Sequence, residues 1–201
     1  MRRFELALYA GSVIYAPGET ILLPIPRGER PLRGDAGRID WRLRGEISSK
    51  LRSGFISGVT GEATLLPARA PLRAKRLLLL GVGPAGPGGS CEGDLANILY
   101  DAAVRLSALR ASHVLLALPA AIELERGAPT LLAALIGGLG ATSQGLAFRL
   151  VVPEAGPRAA RLEEAMVACL EPARRAGWEL EVGWVTSEFD EPSERVAETI
   201  P

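Results

Sequence analysis

Apolar positions along the chain follow two periods. Phe4, Leu6 and Leu8 alternate with Arg3, Glu5, Ala7 and Tyr9, which predicts a half-buried strand. Residues 20–25 predict a second strand, ended by Pro24 and Pro26. Ile39, Leu43, Ile47 and Leu51 recur every four residues and predict one helix stopped by Gly54. Gly45 falls inside that helix, where it costs up to ~1 kcal/mol against alanine, so close packing is expected there. Residues 63–66 and 77–80 are short, uniformly apolar runs. The second run is all leucine, lies between Arg76 and Gly81-Val82-Gly83, and reads as a strand covered on both faces in the middle of a sheet. The bridge 67–71 is too short for a helical crossover, which makes the two runs antiparallel neighbours.

The second half alternates helices with strands. Leu95, Ile98, Leu99, Ala102, Leu106 and Leu109 mark a helix over about 91–110, with Ser90 as N-cap. Residues 113–118 form a buried strand, 129–139 a short apolar helix, and 146–152 a strand ended by Pro153. Residues 157–176 give an amphipathic helix that Pro172 bends or ends. Residues 179–185 form the last strand. The class is therefore α/β, a mixed, mainly parallel sheet flanked by helices. Past Thr186 the chain carries Glu188, Asp190, Glu191, Glu194 and Glu198 against Arg195 alone, so residues 1–186 read as one domain and 187–201 as an acidic, mobile tail.

Composition narrows the function classes. Aromatic residues make up only 5% of the chain, so leucine, alanine, valine and isoleucine must build the core. Acidic and basic residues balance at 23 each, which leaves no global field to draw nucleic acid or an anionic membrane. Lys50 and Lys75 are the only lysines, and the scattered arginines read as solvated faces. Met1-Arg2-Arg3 precedes no apolar signal core. The longest weakly polar run, 131–141, is broken by three glycines and falls short of the ~20 residues of a membrane span. A soluble, cytoplasmic protein is expected.

Candidate chemistry is sparse. Gly81-Val82-Gly83-Pro84-Ala85-Gly86 fits the dinucleotide fingerprint G-x-G-x-x-G after a strand. Pro84 and Pro87 remove two of the N–H donors a pyrophosphate needs, and the next strand carries no acid at its tip. The competing reading is a tight turn with positive φ. His113, the only histidine, has no nucleophile or acid nearby in sequence and reads as a capping or surface residue. Cys169 falls on an apolar helix face and reads as core. Cys91, near a helix start, is either a lowered-pKa thiol or inert. Ser48-Ser49 reads as a polar helix face, and Glu163-Glu164 as a solvated one. No metal-ligand spacing is present, so neither a metal nor a cofactor is expected.

One arrangement extends beyond local pattern. Arg38-Ile39-Asp40-Trp41, Arg52-Ser53-Gly54-Phe55 and Gly61-Glu62 precede the first apolar run, and Ala74-Lys75-Arg76 leads the second into Gly81-Val82-Gly83-Pro84. This order resembles the macro-domain fold and, more closely, the macro-like N-terminal domain of the leucyl aminopeptidase (M17 peptidase) family. The resemblance runs from about residue 22 to 185 and implies a three-layer macro-like fold. It carries over no catalytic residue, because that family's metal ligands surround an N-T-D-A-E-G-R segment in its C-terminal domain and nothing here matches it. The chain is expected to stop about where that domain would begin, and to show no metal-dependent aminopeptidase activity. In the macro fold, loops after Ile25, Gly83 and Leu118 would form the ligand crevice, with Gly28, Asp35, Gly81, Gly83, Pro84 and Ala120 as its candidate residues. Residues 23–28 lack the acid and the asparagines that macro domains use for ADP-ribose, and Glu123 and Glu125 would repel a diphosphate.

The expected function is thus a stand-alone, non-catalytic interaction, regulatory or assembly module, with a second copy or a separate aminopeptidase catalytic subunit as partner. The alternative is a small-molecule domain for a nucleotide or ADP-ribose-like ligand; an autonomous metallo-aminopeptidase ranks last.

Overall fold

The computed structural model describes residues 2–84, 92–111, 113–117, 133–134, 137–138, 146–152, 157–175 and 177–185. The acidic tail, Cys91, Ser90, Ala120 and seven of the eleven residues of the expected 129–139 helix lie outside them. In chain order the elements are β1 (Arg2–Ala10), β2 (Thr20–Arg27), α1 (Gly34–Arg42), α2 (Glu46–Arg52), β3 (Ala63–Pro67), β4 (Arg76–Pro84), α3 (Glu92–Ala108), β5 (His113–Ala117), β6 (Leu146–Val152), α4 (Pro157–Ala168), α5 (Leu170–Arg175) and β7 (Trp178–Val185). The strands form one sheet in the order β3-β4-β2-β5-β6-β1-β7. Every neighbouring pair is parallel except β3–β4, which is antiparallel with Leu65 opposite Leu78.

The sheet has a core on each face, giving three layers. Leu78, Leu80, Val82, Leu22, Leu6 and Leu8 pack against Ile98, Leu99, Ala102 and Leu106 of α3 and Leu162 and Met166 of α4. On the other face Leu77, Leu79, Ile21, Leu23 and Ile25 pack against Ile39 of α1 and Ile47 and Leu51 of α2. Alternate residues of β4 thus enter opposite cores, which explains the run of leucine without polar interruption. The run is buried as expected, but β4 lies one strand in from the edge, not in the middle. Nor is β1 half-buried: it lies between β6 and β7, and Ala7 and Tyr9 are buried along with Leu6 and Leu8.

Two helices are broken where one was expected. The 39–51 stripe divides into α1 and α2 because Arg44 and Gly45 adopt positive φ, 58° and 78°. The Gly45 amide returns to the Asp40 carbonyl at 2.8 Å. The Asp40 side chain then caps α2, accepting from the Ser48 amide at 3.1 Å and the Ser48 hydroxyl at 2.5 Å. Open space surrounds the Gly45 Cα, so a left-handed backbone, not close packing, selects glycine there. Ser48 is correspondingly a capping partner, not part of a plain polar face. The 157–175 segment breaks at Cys169, three residues before Pro172, whose missing N–H and ring exclude the preceding helical turn. Cys169 is buried, as its apolar face implied, and burial raises its thiol pKa.

Candidate functional site

The crevice expected from the sequence lies at the C-terminal edge of the parallel strands. There β2 runs past both of its prolines to Arg27, and β4 runs through both glycines to Pro84, so each strand is longer than its composition implied. Among the described residues the β2–β5 ladder runs from Thr20 to Leu22, and the β2–β4 ladder continues to Arg27 opposite Pro84. Proline cannot donate to a ladder, and opposite β4 the register shifts between Ile25 and Arg27, at Pro26.

The loop after β2 descends into α1. Arg27, Gly28, Glu29, Arg30, Pro31 and Arg33 line an open depression of about 270 Å³. Arg30 is held by a bond from its guanidinium to the Leu51 carbonyl at the end of α2, 2.8 Å. Gly28 has φ of 82° and open space around it. Asp35 is buried, 8% exposed, in the first turn of α1, and one of its contacts is the Arg38 guanidinium at 3.5 Å.

A second segment, 57–62, closes over the ends of β2 and β4. The Glu62 carboxylate organises it, accepting from the Ser57 amide at 2.9 Å, the Ser57 hydroxyl at 2.9 Å and the Gly58 amide at 2.7 Å. A Cβ built on Gly58 would approach the Arg27 backbone at 3.0 Å, and one on Gly81 would sit 2.0 Å from the Val59 carbonyl oxygen. The Gly81 amide donates to the Glu62 carbonyl at 2.8 Å, and the Gly83 amide to the Gly58 carbonyl at 3.0 Å. Gly83 carries the positive φ of a turn, 78°, but Gly81 does not: it is glycine because another backbone presses on it. Two of the amides a phosphate nest would need are therefore committed to the 57–62 segment.

Gly81, Gly83 and Pro84 lie in the C-terminal half of β4, Gly28 just after β2 and Asp35 in the first turn of α1, and of these only Gly28 lines the depression; Ala120 lies outside the described residues. Glu62 is the residue that local pattern undervalued. Its signal was the turn-rich Ser57-Gly58-Val59-Thr60-Gly61 before it, where a carboxylate can collect several amides. Among the described residues no group of three His, Cys, Asp or Glu side chains is placed to hold a metal ion. None of the described helices is long and apolar enough to cross a membrane. His113 opens β5, exposed, and its carbonyl accepts the Glu19 amide at 2.9 Å. Glu163 is not simply solvated, since Trp184 Nε1 donates to it at 2.9 Å.

Residues 27–143 match the family model described as the N-terminal domain of the cytosol aminopeptidase family, which is more than half of the chain. The chain belongs to the cytosol aminopeptidase family. The match begins at Arg27 and includes the arginine loop, α1, α2, the 57–62 segment and β4. Solved structures agree on the fold. Tomato leucine aminopeptidase superposes with a TM-score of 0.55 at 16% identity, covering 87% of this chain and 38% of that one. The present chain thus spans well under half of that enzyme's length. A macrodomain from Oceanobacillus iheyensis reaches a TM-score of 0.64 at 16% identity, covering 82% and 92%. The macrodomain of Thermus aquaticus DarG gives 0.56 at 14% identity, covering 74% and 98%. The domain is therefore a macro-like, three-layer α/β domain of the aminopeptidase family.

Proposed function

We propose that this domain works through its surface, as a non-catalytic interaction or assembly module of the aminopeptidase family. The observation that carries the reading is the 57–62 segment, which takes up the Gly81 and Gly83 amides at the very edge where a macro-like crevice would hold a ligand. A second feature supports it. Trp41 on α1 is 73% exposed and Phe55 just after α2 is 62% exposed, in a chain with few aromatic residues. Arg42 lies 5.0 Å from the Trp41 ring and Lys50 4.9 Å from the Phe55 ring. Exposed aromatics beside cations are the usual anchors of a protein interface. The partner in this reading is a second copy of the chain or the catalytic domain of an aminopeptidase of the family, met in the cytoplasm.

Sedimentation velocity tests it, run on the protein alone and mixed with a purified catalytic domain from the family. A complex is expected in at least one of the two runs, dissolved by Trp41→Ser combined with Phe55→Ser. A monomer in both runs would overturn the proposal. A second reading, binding of a nucleotide-like molecule, draws on the Oceanobacillus macrodomain, one structure of which contains ADP. The 57–62 segment weighs against it here.

A further inference from the structure

Three arginines stand within seven residues here, Arg27 at the end of β2 and Arg30 and Arg33 in the loop after it. Several other basic side chains meet acids: Arg38 with Asp35, Arg76 and Lys75 with Glu19, Arg174 with Glu171. No carboxylate among the described residues forms an ion pair with Arg27, Arg30 or Arg33, and the bond from Arg30 goes to a backbone carbonyl, which orients the guanidinium without neutralising it. Glu29 is the one acid lining the depression. Three like charges within seven residues of one loop repel each other in the isolated domain and are relieved by an anion. The loop is also joined to an exposed aromatic. Arg30 grips the Leu51 carbonyl, the Ile56 amide returns to the Lys50 carbonyl at 3.2 Å, and Phe55 projects from that turn.

We propose that Arg27, Arg30 and Arg33, together with Phe55 and Lys50, form a docking surface for an acidic segment of a partner protein that also carries an apolar residue. This rests on the interaction reading above and adds the chemistry of the partner. Arginine pairs with carboxylates through a planar fork, and a segment lying from the depression to Phe55 covers both the charge and the ring. A small anion satisfies the arginines but leaves Phe55 in water. The zero net charge of the chain makes the attraction local, which suits a short acidic segment better than a nucleic-acid backbone.

The test uses the full chain and a fluorescein-labelled peptide of glutamates interrupted by leucine and phenylalanine, followed by anisotropy. Saturable binding is expected, weakened at least about tenfold by Arg27→Ala with Arg33→Ala, and separately by Phe55→Ser. A peptide with serine replacing its apolar residues should bind more weakly to the native protein. Because these side chains are exposed, melting temperatures should stay within a degree or two, which separates lost binding from lost fold. No binding, or binding indifferent to the arginine substitutions, overturns the proposal. Equal competition by inorganic phosphate or by a single-stranded DNA oligomer overturns it too, by making the surface a general anion site. Binding only after residues 187–201 are removed does the same, by making the chain's own acidic segment the occupant. If the peptide fails while the sedimentation complex forms and survives arginine substitution, this inference alone falls and the interaction reading stands.

Discussion

Gly81→Ala is expected to destabilise the domain by about 3–5 kcal/mol, an unusually large effect for one methyl group. The added carbon would lie 2.0 Å from the Val59 carbonyl oxygen and 2.8 Å from the Gly58 carbonyl carbon. Both are backbone atoms and cannot rotate aside, so the 57–62 segment must lift. Lifting it breaks the Gly81–Glu62 and Gly61–Gly81 bonds, each worth ~0.5–1.5 kcal/mol, and exposes the Gly83 amide. Gly45→Ala provides the contrast. It meets no atom within 4 Å and introduces only the strain of a positive φ, about 1–2 kcal/mol. Urea denaturation should separate the two by their midpoints. Equal midpoints would show that the segment does not press on β4.

Leu78→Ala and Leu80→Ala should each cost about 2–5 kcal/mol. Leu78 is 3% exposed and Leu80 2%, and both enter the core beneath α3 and α4. Removing either leaves a cavity flanked by the fixed backbones of β2 and β3, which limits collapse. Domains of this kind are stable by only ~5–15 kcal/mol, so the double substitution should leave little folded protein at room temperature. A denaturation midpoint unchanged by both single substitutions would place the run at the surface.

Regular periodicity was legible and backbone-to-backbone closeness was not. The leucine run of β4 showed that it faces two cores, and the short bridge after Pro67 showed that β3 is antiparallel to it. The break at Arg44-Gly45 was hidden because α1 and α2 both turn the same apolar stripe to the sheet. The stripe continues across a turn whose cause is a left-handed backbone and an Asp40 cap. At the site, the glycines of β4 were visible and the positive φ expected of a turn holds at Gly83, but the reason for Gly81 was misread. A turn and a close approach both demand glycine, and only the neighbouring segment tells them apart. The arginine loop looked like scattered solvated charge, because nothing local shows that Arg27, Arg30 and Arg33 line one depression while acids elsewhere pair with other cations.

The central claim is that this edge of the sheet serves as a surface and not as a nucleotide pocket. A thermal melt of the purified chain with millimolar ADP-ribose, AMP or NAD tests it most directly. Ligand at a hundred times its dissociation constant adds ~2.7 kcal/mol of stability, roughly 5–10 °C in melting temperature for a domain of this size. No shift is expected with any of the three, since the Gly81 and Gly83 amides are already bonded to the Glu62 and Gly58 carbonyls. A saturable rise in melting temperature with one of them would contradict it.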